Sequence, residues 1–232
     1  MMVWGLRMKL RKRLKKVYGV GVNDLDYPVH EFEYIRDEKG NLKISKRIWT
    51  CPFYEVWRDM IKRCYNEKDQ IKQPTYVGAW VCDEWLILSK FKAWMESKDW
   101  VGKQLDKDLL VVGNKVYSPD TCIFISIELN QFFKDRSNDR GPYPLGVSMH
   151  MSGEYYARCS DPFLGKRVSL GLHSTPEAAH EAWRKYKHSL ALRYCEILRN
   201  EGYLQETIDA LSIRYEARKE IQNTSRQILP TL

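Results

Sequence analysis

The sequence predicts an α+β protein. A strand-turn-strand-helix unit with flanking helices comes first, followed by a small three-stranded antiparallel sheet packed on one helix. Three observations predict this. Apolar residues fall at helical spacing, first as Tyr54, Trp57, Met60, Ile61 and Cys64, then as Trp85, Leu88, Phe91 and Trp94 or Met95. A Gly113-Asn114 pair stands between the β-branched runs Val111-Val112 and Lys115-Val116-Tyr117, a hairpin signal. Beyond Leu145, three short alternating segments separated by turn residues lead into a helix start at Thr175-Pro176-Glu177.

The elements follow in chain order. Leu6, Leu10, Leu14 and Val17 recur at helical spacing among basic residues, which predicts a short basic amphipathic helix ended by Gly19 and Gly21. Residues 29–48 read as strand-like pieces around the turn Glu38-Lys39-Gly40-Asn41. A helix from Tyr54 stops at Asn66, the stretch "NEKDQIKQPTYVGAW" is a loop, and a second helix runs from about Asp83 to Met95. Aromatics at this spacing are core residues rather than platforms for stacking bases.

After the hairpin, Pro119-Asp120 turns the chain. Residues 121–125 form a strand, and Ser126 caps a helix running through Asn130 to Lys134. The polar run 135–144 is a linker. Strands are expected at 146–150, 154–159 and 167–172, and the next helix should bury Ala178, Ala182, Trp183 and Tyr186. A last helix spans Leu204 to about Arg218, with Leu204, Ile208, Leu211 and Tyr215 docking on the body. The organisation is an arm over 1–20, a domain over 21–136, a second over 141–200 and a terminal helix over 201–232.

Hydrophobic content of 44% excludes a disordered chain. Of the formal net charge of +8, seven basic residues and no acid lie in residues 1–20: Arg7, Lys9, Arg11, Lys12, Arg13, Lys15 and Lys16. Such a block binds nucleic acid or an anionic surface by releasing counterions. The run after it is too short and polar for a secretion signal, and no stretch approaches membrane-spanning length. The six cysteines are scattered, as expected of reduced thiols in a cytoplasm. Cys51, Cys64, Cys82 and Cys122 lack paired CxxC knuckles, so structural zinc is not expected. His150, His173, His180 and His188 read as surface or cap residues.

A metal-dependent nuclease needs ligands for a divalent ion that holds a phosphate oxygen, and a base for the attacking water. On a hairpin and helix, Asp106 and Asn130 stand where such ligands would be, and Lys107 stands where a histidine base would be. The stretch "LDKDLLVVGNKVYSPDTCIFISIELNQFF", with "YEVWRDMIKRCYN" and "VCDEWLILSKFKAWM" before it, resembles HNH-type homing-endonuclease-like proteins of bacteriophages over roughly residues 18–133. The resemblance implies a ββα-metal unit holding magnesium or another divalent cation through Asp106 and Asn130. It matches Asn114 to the asparagine that supports the base, and implies action in the cytoplasm of an infected bacterial cell.

The base histidine has no match. Either Lys107 or Asp108 serves, or metal-bound water needs no strong base, or the unit no longer cuts. Lysine is a poor base near neutral pH, and a cationic Lys107 would contact DNA phosphate.

"LGVSMHMSGEYYARCSDPFLGKRVSLGLHSTPEAAHEAW" is similar to the Apetala-two, or ethylene-response-factor, type of DNA-binding domain, in which a three-stranded sheet enters the major groove with a helix behind it. Alternation independently gives a helix-facing set of Val147, Met149, Tyr155, Ala157, Cys159, Val168 and Leu170. The opposite set is Ser148, His150, Tyr156, Arg158, Arg167 and Ser169, joined by the neighbouring Lys166 and by Arg11 and Arg13 of the arm as DNA-contacting residues. The competing expectations are a non-cutting relative that acts as a repressor or binds another phage or host protein, and an RNA binder. The second is disfavoured by a face with Tyr156 as its one aromatic. Monomer and dimer are both open.

Overall fold

The computed structural model describes residues 16–133 and 142–216. The expected basic helix, with Arg11 and Arg13, lies outside these residues, as do most of the linker and the end of the last predicted helix. The chain is mixed α+β and forms two compact units, one of residues 1–108 and 113–124, the other of 109–112 and 125–232. Among the described residues no helix is long and apolar enough to cross a membrane.

In the first unit, β1 (His30–Arg36) and β2 (Leu42–Thr50) form an antiparallel hairpin. Asp37 closes its turn, accepting the Asn41 and Lys39 N–H groups at 2.8 and 2.9 Å. Helix α1 (Pro52–Tyr65) buries Trp57, Met60, Ile61 and Cys64, the expected face. Asn66 stops it and starts α2 (Glu67–Lys72), its side-chain oxygen accepting the Lys68 N–H at 3.0 Å. The stretch expected to be a loop therefore holds this helix and a 3-10 turn at Pro74–Tyr76.

The second predicted helix is divided. A 3-10 turn at Asp83–Leu86 precedes α3 (Leu88–Glu96), with Ile87 extended between them. The cause is tertiary pairing: Val22 N–H donates to Leu86 O at 2.8 Å, and Leu88 N–H donates to Val22 O at 2.9 Å. Trp85, Leu88, Phe91 and Met95 still point inward and meet α1 in one core.

The expected hairpin about Gly113-Asn114 does not form. Strand β5 (Val116–Tyr117) pairs in parallel with β3 (Trp80–Val81), while β4 (Gln104–Asp106) pairs with β6 (Ile123–Ile125). Val111 and Val112 are exposed rather than paired. Local turn chemistry lost to longer-range partners: Trp80 N–H reaches Lys115 O at 2.8 Å, and Cys82 N–H reaches Tyr117 O at 3.0 Å.

In the second unit Ser126 caps α4 (Ile127–Phe133), accepting the Leu129 N–H on its hydroxyl at 3.1 Å. Strands β7 (Val147–Met149), β8 (Tyr155–Asp161) and β9 (Lys166–His173) form an antiparallel sheet in that order, packed on α5 (Pro176–Asn200). Thr175 caps α5 as expected, accepting the Ala178 N–H at 3.2 Å. The buried stripe is Ala179, Trp183, Lys187, Leu190, Ala191, Tyr194, Cys195 and Leu198. This corrects the expected set: Ala178 is exposed, Ala182 and Tyr186 only half-buried, and the helix is 25 residues long.

Helix α6 (Gln205–Ile213) docks on α5 through Thr207, Ile208 and Leu211, with Leu204 exposed at its cap. The division of the chain differs from the expected one because α4 belongs with this unit. Phe132 packs against Tyr194 and Tyr215, ring centroids 5.0 and 5.8 Å away.

Candidate functional site

Strand β4 and the loop after it hold Asp106, Lys107, Asp108 and Asn114 together in the first unit. The Asp108 N–H donates to Asp106 Oδ1 at 2.9 Å. The Asn114 amide donates to the carbonyls of Lys107 and Val116 at 2.8 and 2.6 Å, and its oxygen accepts the Val116 N–H at 2.9 Å. This asparagine therefore spans the loop and holds the main chain of the residue at the base position.

Lys107 is 5% exposed. Its ammonium donates to Asp108 Oδ1 at 2.7 Å and to the Asn114 carbonyl at 2.6 Å, and lies 6.0 Å from the Tyr117 ring centre. Burying an ammonium is tolerated when a carboxylate and hydrogen bonds replace water, as they do here. The expected outward contact of Lys107 with phosphate is thus corrected: its charge is turned inward and occupied.

Asn130 lies on α4 in the second unit, its N–H donating to the Ser126 carbonyl at 3.0 Å. Asp106 and Asn130 are hard oxygen donors of the kind magnesium prefers, and magnesium commonly takes only one or two carboxylates with water and phosphate completing its shell. Among the described residues no group of three or more His, Cys, Asp or Glu side chains is placed to hold a metal ion.

In the second unit the sheet register sets the predicted DNA-contacting residues. Ser148 stands opposite Tyr156, Arg158 opposite Ser169, and Ser160 opposite Arg167, so these residues share one face. Arg158 donates to the Ser148 hydroxyl at 3.3 Å and lies 4.8 Å from the Tyr156 ring centre, which orients its guanidinium. His150 sits in the turn after β7, bonded to the Ser152 hydroxyl at 2.9 Å, its ring 6.2 Å from that of Tyr156.

Lys166 is exposed but stands opposite Asp161, one residue out of step with Arg167, and so falls on the other side of the sheet. The helix-facing side buries Ala157, Cys159 and Asp161. Met149, expected there, is exposed at the sheet edge.

Two buried charges were not picked out from sequence. Asp161 accepts the Phe163 and Leu164 N–H groups at 2.8 and 3.1 Å and the Tyr186 hydroxyl at 2.7 Å. Burial acts to raise its carboxyl, but the bonds from Tyr186 and the two N–H groups outweigh it and hold the carboxyl below the usual range. Lys187 is 9% exposed and donates to the Phe132 carbonyl at 2.8 Å, near the C-terminal end of α4. Desolvation lowers its ammonium to about 8. A signal for Lys187 was available in the sequence, since it falls four residues after Trp183 on the apolar stripe.

Burial also pushes the Cys64 and Cys122 thiols from 9.0 up to about 12, with Lys107 pulling each back only partly. A folded value above the unfolded one contributes stability that is full below pH 9 and lost as pH climbs through 12. Each shift corresponds to about 4 kcal/mol, and Tyr117, also raised by burial, adds with the same sign. The urea midpoint is expected to fall steeply from about pH 10.5 to 12, and a flat midpoint there would show that these thiols ionise normally in the folded chain.

Comparison with protein-family models, with curated proteins and with solved structures finds no match to this chain.

Proposed function

We propose that this chain is a DNA-binding protein of the phage HNH homing-endonuclease type, which contacts duplex DNA through the outer face of the β7–β8–β9 sheet. One observation carries the reading: Ser148, Tyr156, Arg158, Arg167 and Ser169 share a face while α5 covers the opposite one. Two guanidinium forks with hydroxyls between them match guanine edges and phosphate oxygens. The basic arm, with Arg11 and Arg13, adds salt-dependent affinity.

The cleavage part of the reading rests on the sequence resemblance. Asp106 and Asn130 would supply oxygen ligands to magnesium or another divalent cation, whose chemistry is to hold and polarise a phosphate oxygen. The setting is the cytoplasm of an infected bacterial cell. A second reading, a non-cutting relative acting as a repressor or binding another phage or host protein, is favoured by Lys107. The residue at the base position already gives its hydrogens to Asp108 and the Asn114 carbonyl.

Filter binding with duplex DNA is expected to show affinity that falls with salt, and Arg158→Ala and Arg167→Ala should each weaken it by about 1–3 kcal/mol. Absence of any salt-dependent affinity overturns the reading. Incubation with phage genomic DNA and magnesium, with new ends mapped by sequencing, separates the two forms. Cleavage abolished by Asp106→Ala makes the chain a nuclease, and sequence-specific protection without cleavage makes it a binder.

A further inference from the structure

Among the described residues β7 pairs with Tyr155–Ala157, and no strand pairs with the same edge of β8 farther on, through Cys159–Asp161. At this edge lies a cavity of about 1070 Å³, bounded by α4, the sheet and α5, all within the second unit. Trp183 and Lys187 line it from α5, and Arg158, Lys166 and Arg167 from the strands. The acids that line it are Glu128 of α4 and Asp161 of β8, with the Cys159 thiol as the remaining titratable group.

The charges do not cancel. The Asp161 carboxylate is engaged by Phe163, Leu164 and Tyr186. Lys187 has the Phe132 carbonyl at 2.8 Å and the Phe132 ring centre at 3.3 Å, and no carboxylate among the described residues lies within ion-pair distance of it. One carbonyl satisfies one of its three N–H donors. A lysine enclosed in this way has no counter-anion among the described residues.

We propose that this cavity binds the phosphate group of a ligand, with Lys187 as the buried cation, Lys166 on the same side of the sheet, and Arg158 and Arg167 lining its rim from the outer face. Arginine forks pair with phosphate oxygens in a planar, two-point manner, while lysine supplies a point charge. The space exceeds what one phosphate fills and lies at the upper end of sites for small organic ligands. The phosphate is therefore attached to a larger body, either a small phosphorylated molecule or the backbone of a duplex lying against the sheet. The second source rests on the DNA-binding reading above; the first does not.

Because Lys187 loses its proton near pH 8, affinity should fall as pH rises through that value. The other titratable and charged groups that line the cavity are Glu128, Asp161, Arg158, Lys166, Arg167 and Cys159, and burial raises the Cys159 thiol.

The test uses the full chain, inorganic pyrophosphate as the small probe, and a short random-sequence duplex. By calorimetry, pyrophosphate should bind the wild type, with affinity at least tenfold weaker in Lys187→Met and falling from pH 7 to 9 in the wild type alone. In the duplex arm, Lys187→Met should reduce the slope of log affinity against log salt by about 0.9, the loss of one phosphate contact. Pyrophosphate binding that depends on Lys187 supports a free phosphorylated ligand, even if duplex affinity is absent and the DNA reading fails. A reduced slope without pyrophosphate binding supports the backbone source. The absence of both effects overturns the proposal. Should Lys187→Met fail to fold, the exposed Arg167→Ala takes its place in the pyrophosphate arm, where affinity should be weaker while the fall from pH 7 to 9 is retained; unchanged affinity overturns the proposal.

Discussion

Replacing Gly146 with alanine is expected to destabilise the second unit by about 2–5 kcal/mol and to weaken the proposed DNA binding with it. Gly146 has φ +78°, in the left-handed region, and a Cβ built there would lie 2.0 Å from Cδ1 of Trp183. Both costs apply: roughly 1–2 kcal/mol for the backbone and roughly 1–3 kcal/mol for forcing a buried indole aside. Trp183 cannot swing away freely, because it is buried and stacks on His180, which is bonded to the Leu145 carbonyl at 2.9 Å.

The Gly146 carbonyl accepts the Arg158 N–H at 2.8 Å, so a shift here displaces a residue of the proposed DNA-contacting face. Urea unfolding followed by tryptophan fluorescence measures the loss. Gly153→Ala is the control, since Gly153 has φ +86° but open space around its Cβ position. The two substitutions should differ by the steric part alone, and equal effects would show that Trp183 imposes no constraint.

Trp57→Ala should cost the first unit about 3–5 kcal/mol. The indole is fully buried at the centre of the core shared by α1 and α3. Its N–H donates to the Trp85 carbonyl at 2.7 Å, so truncation leaves both a cavity and a buried carbonyl without its donor. Trp57→Phe keeps much of the ring and isolates the lost hydrogen bond, at roughly 1–3 kcal/mol. Chemical denaturation of the three proteins separates the terms. A Phe variant as unstable as the Ala variant would place the whole effect in the hydrogen bond.

The candidate interface was legible wherever its residues depend on local pattern. Alternation along β8 and β9 placed Tyr156, Arg158, Arg167 and Ser169 on one face, because side-chain direction in a strand is a property of the strand itself. Thr175 and Ser126 were readable as caps for the same reason, since each bonds an N–H group three residues away, whereas Asn66, read as the stop of α1, also caps a helix in a stretch expected to be a loop. The register also shows the limit of counting. Lys166 is adjacent to Arg167 but faces the other way, and a register shift between Tyr156 and Arg158 brings Leu172 opposite Tyr156.

Where the deciding partner is remote in sequence, local pattern gave the wrong element. Gly113-Asn114 carries hairpin chemistry, yet Val116–Tyr117 pairs with Trp80–Val81 instead of with Val111–Val112. Asn114 uses its side chain to hold a loop around Lys107, and the lysine is enclosed there by groups that spacing alone could not bring together.

By itself, then, the sequence determined the α+β class, the apolar face of α1, the caps of α4 and α5 and the polar side of the three-stranded sheet. These follow from the periods of helix and strand and from hydrogen bonds spanning a few residues. Tertiary structure alone decided that α4 joins the second unit, that β5 lies beside β3, and that the charges of Lys107 and Lys187 turn inward. The physical reason is common to all three: strand pairing and the burial of a charge are settled by the groups that replace water, and here many of those groups come from distant parts of the chain.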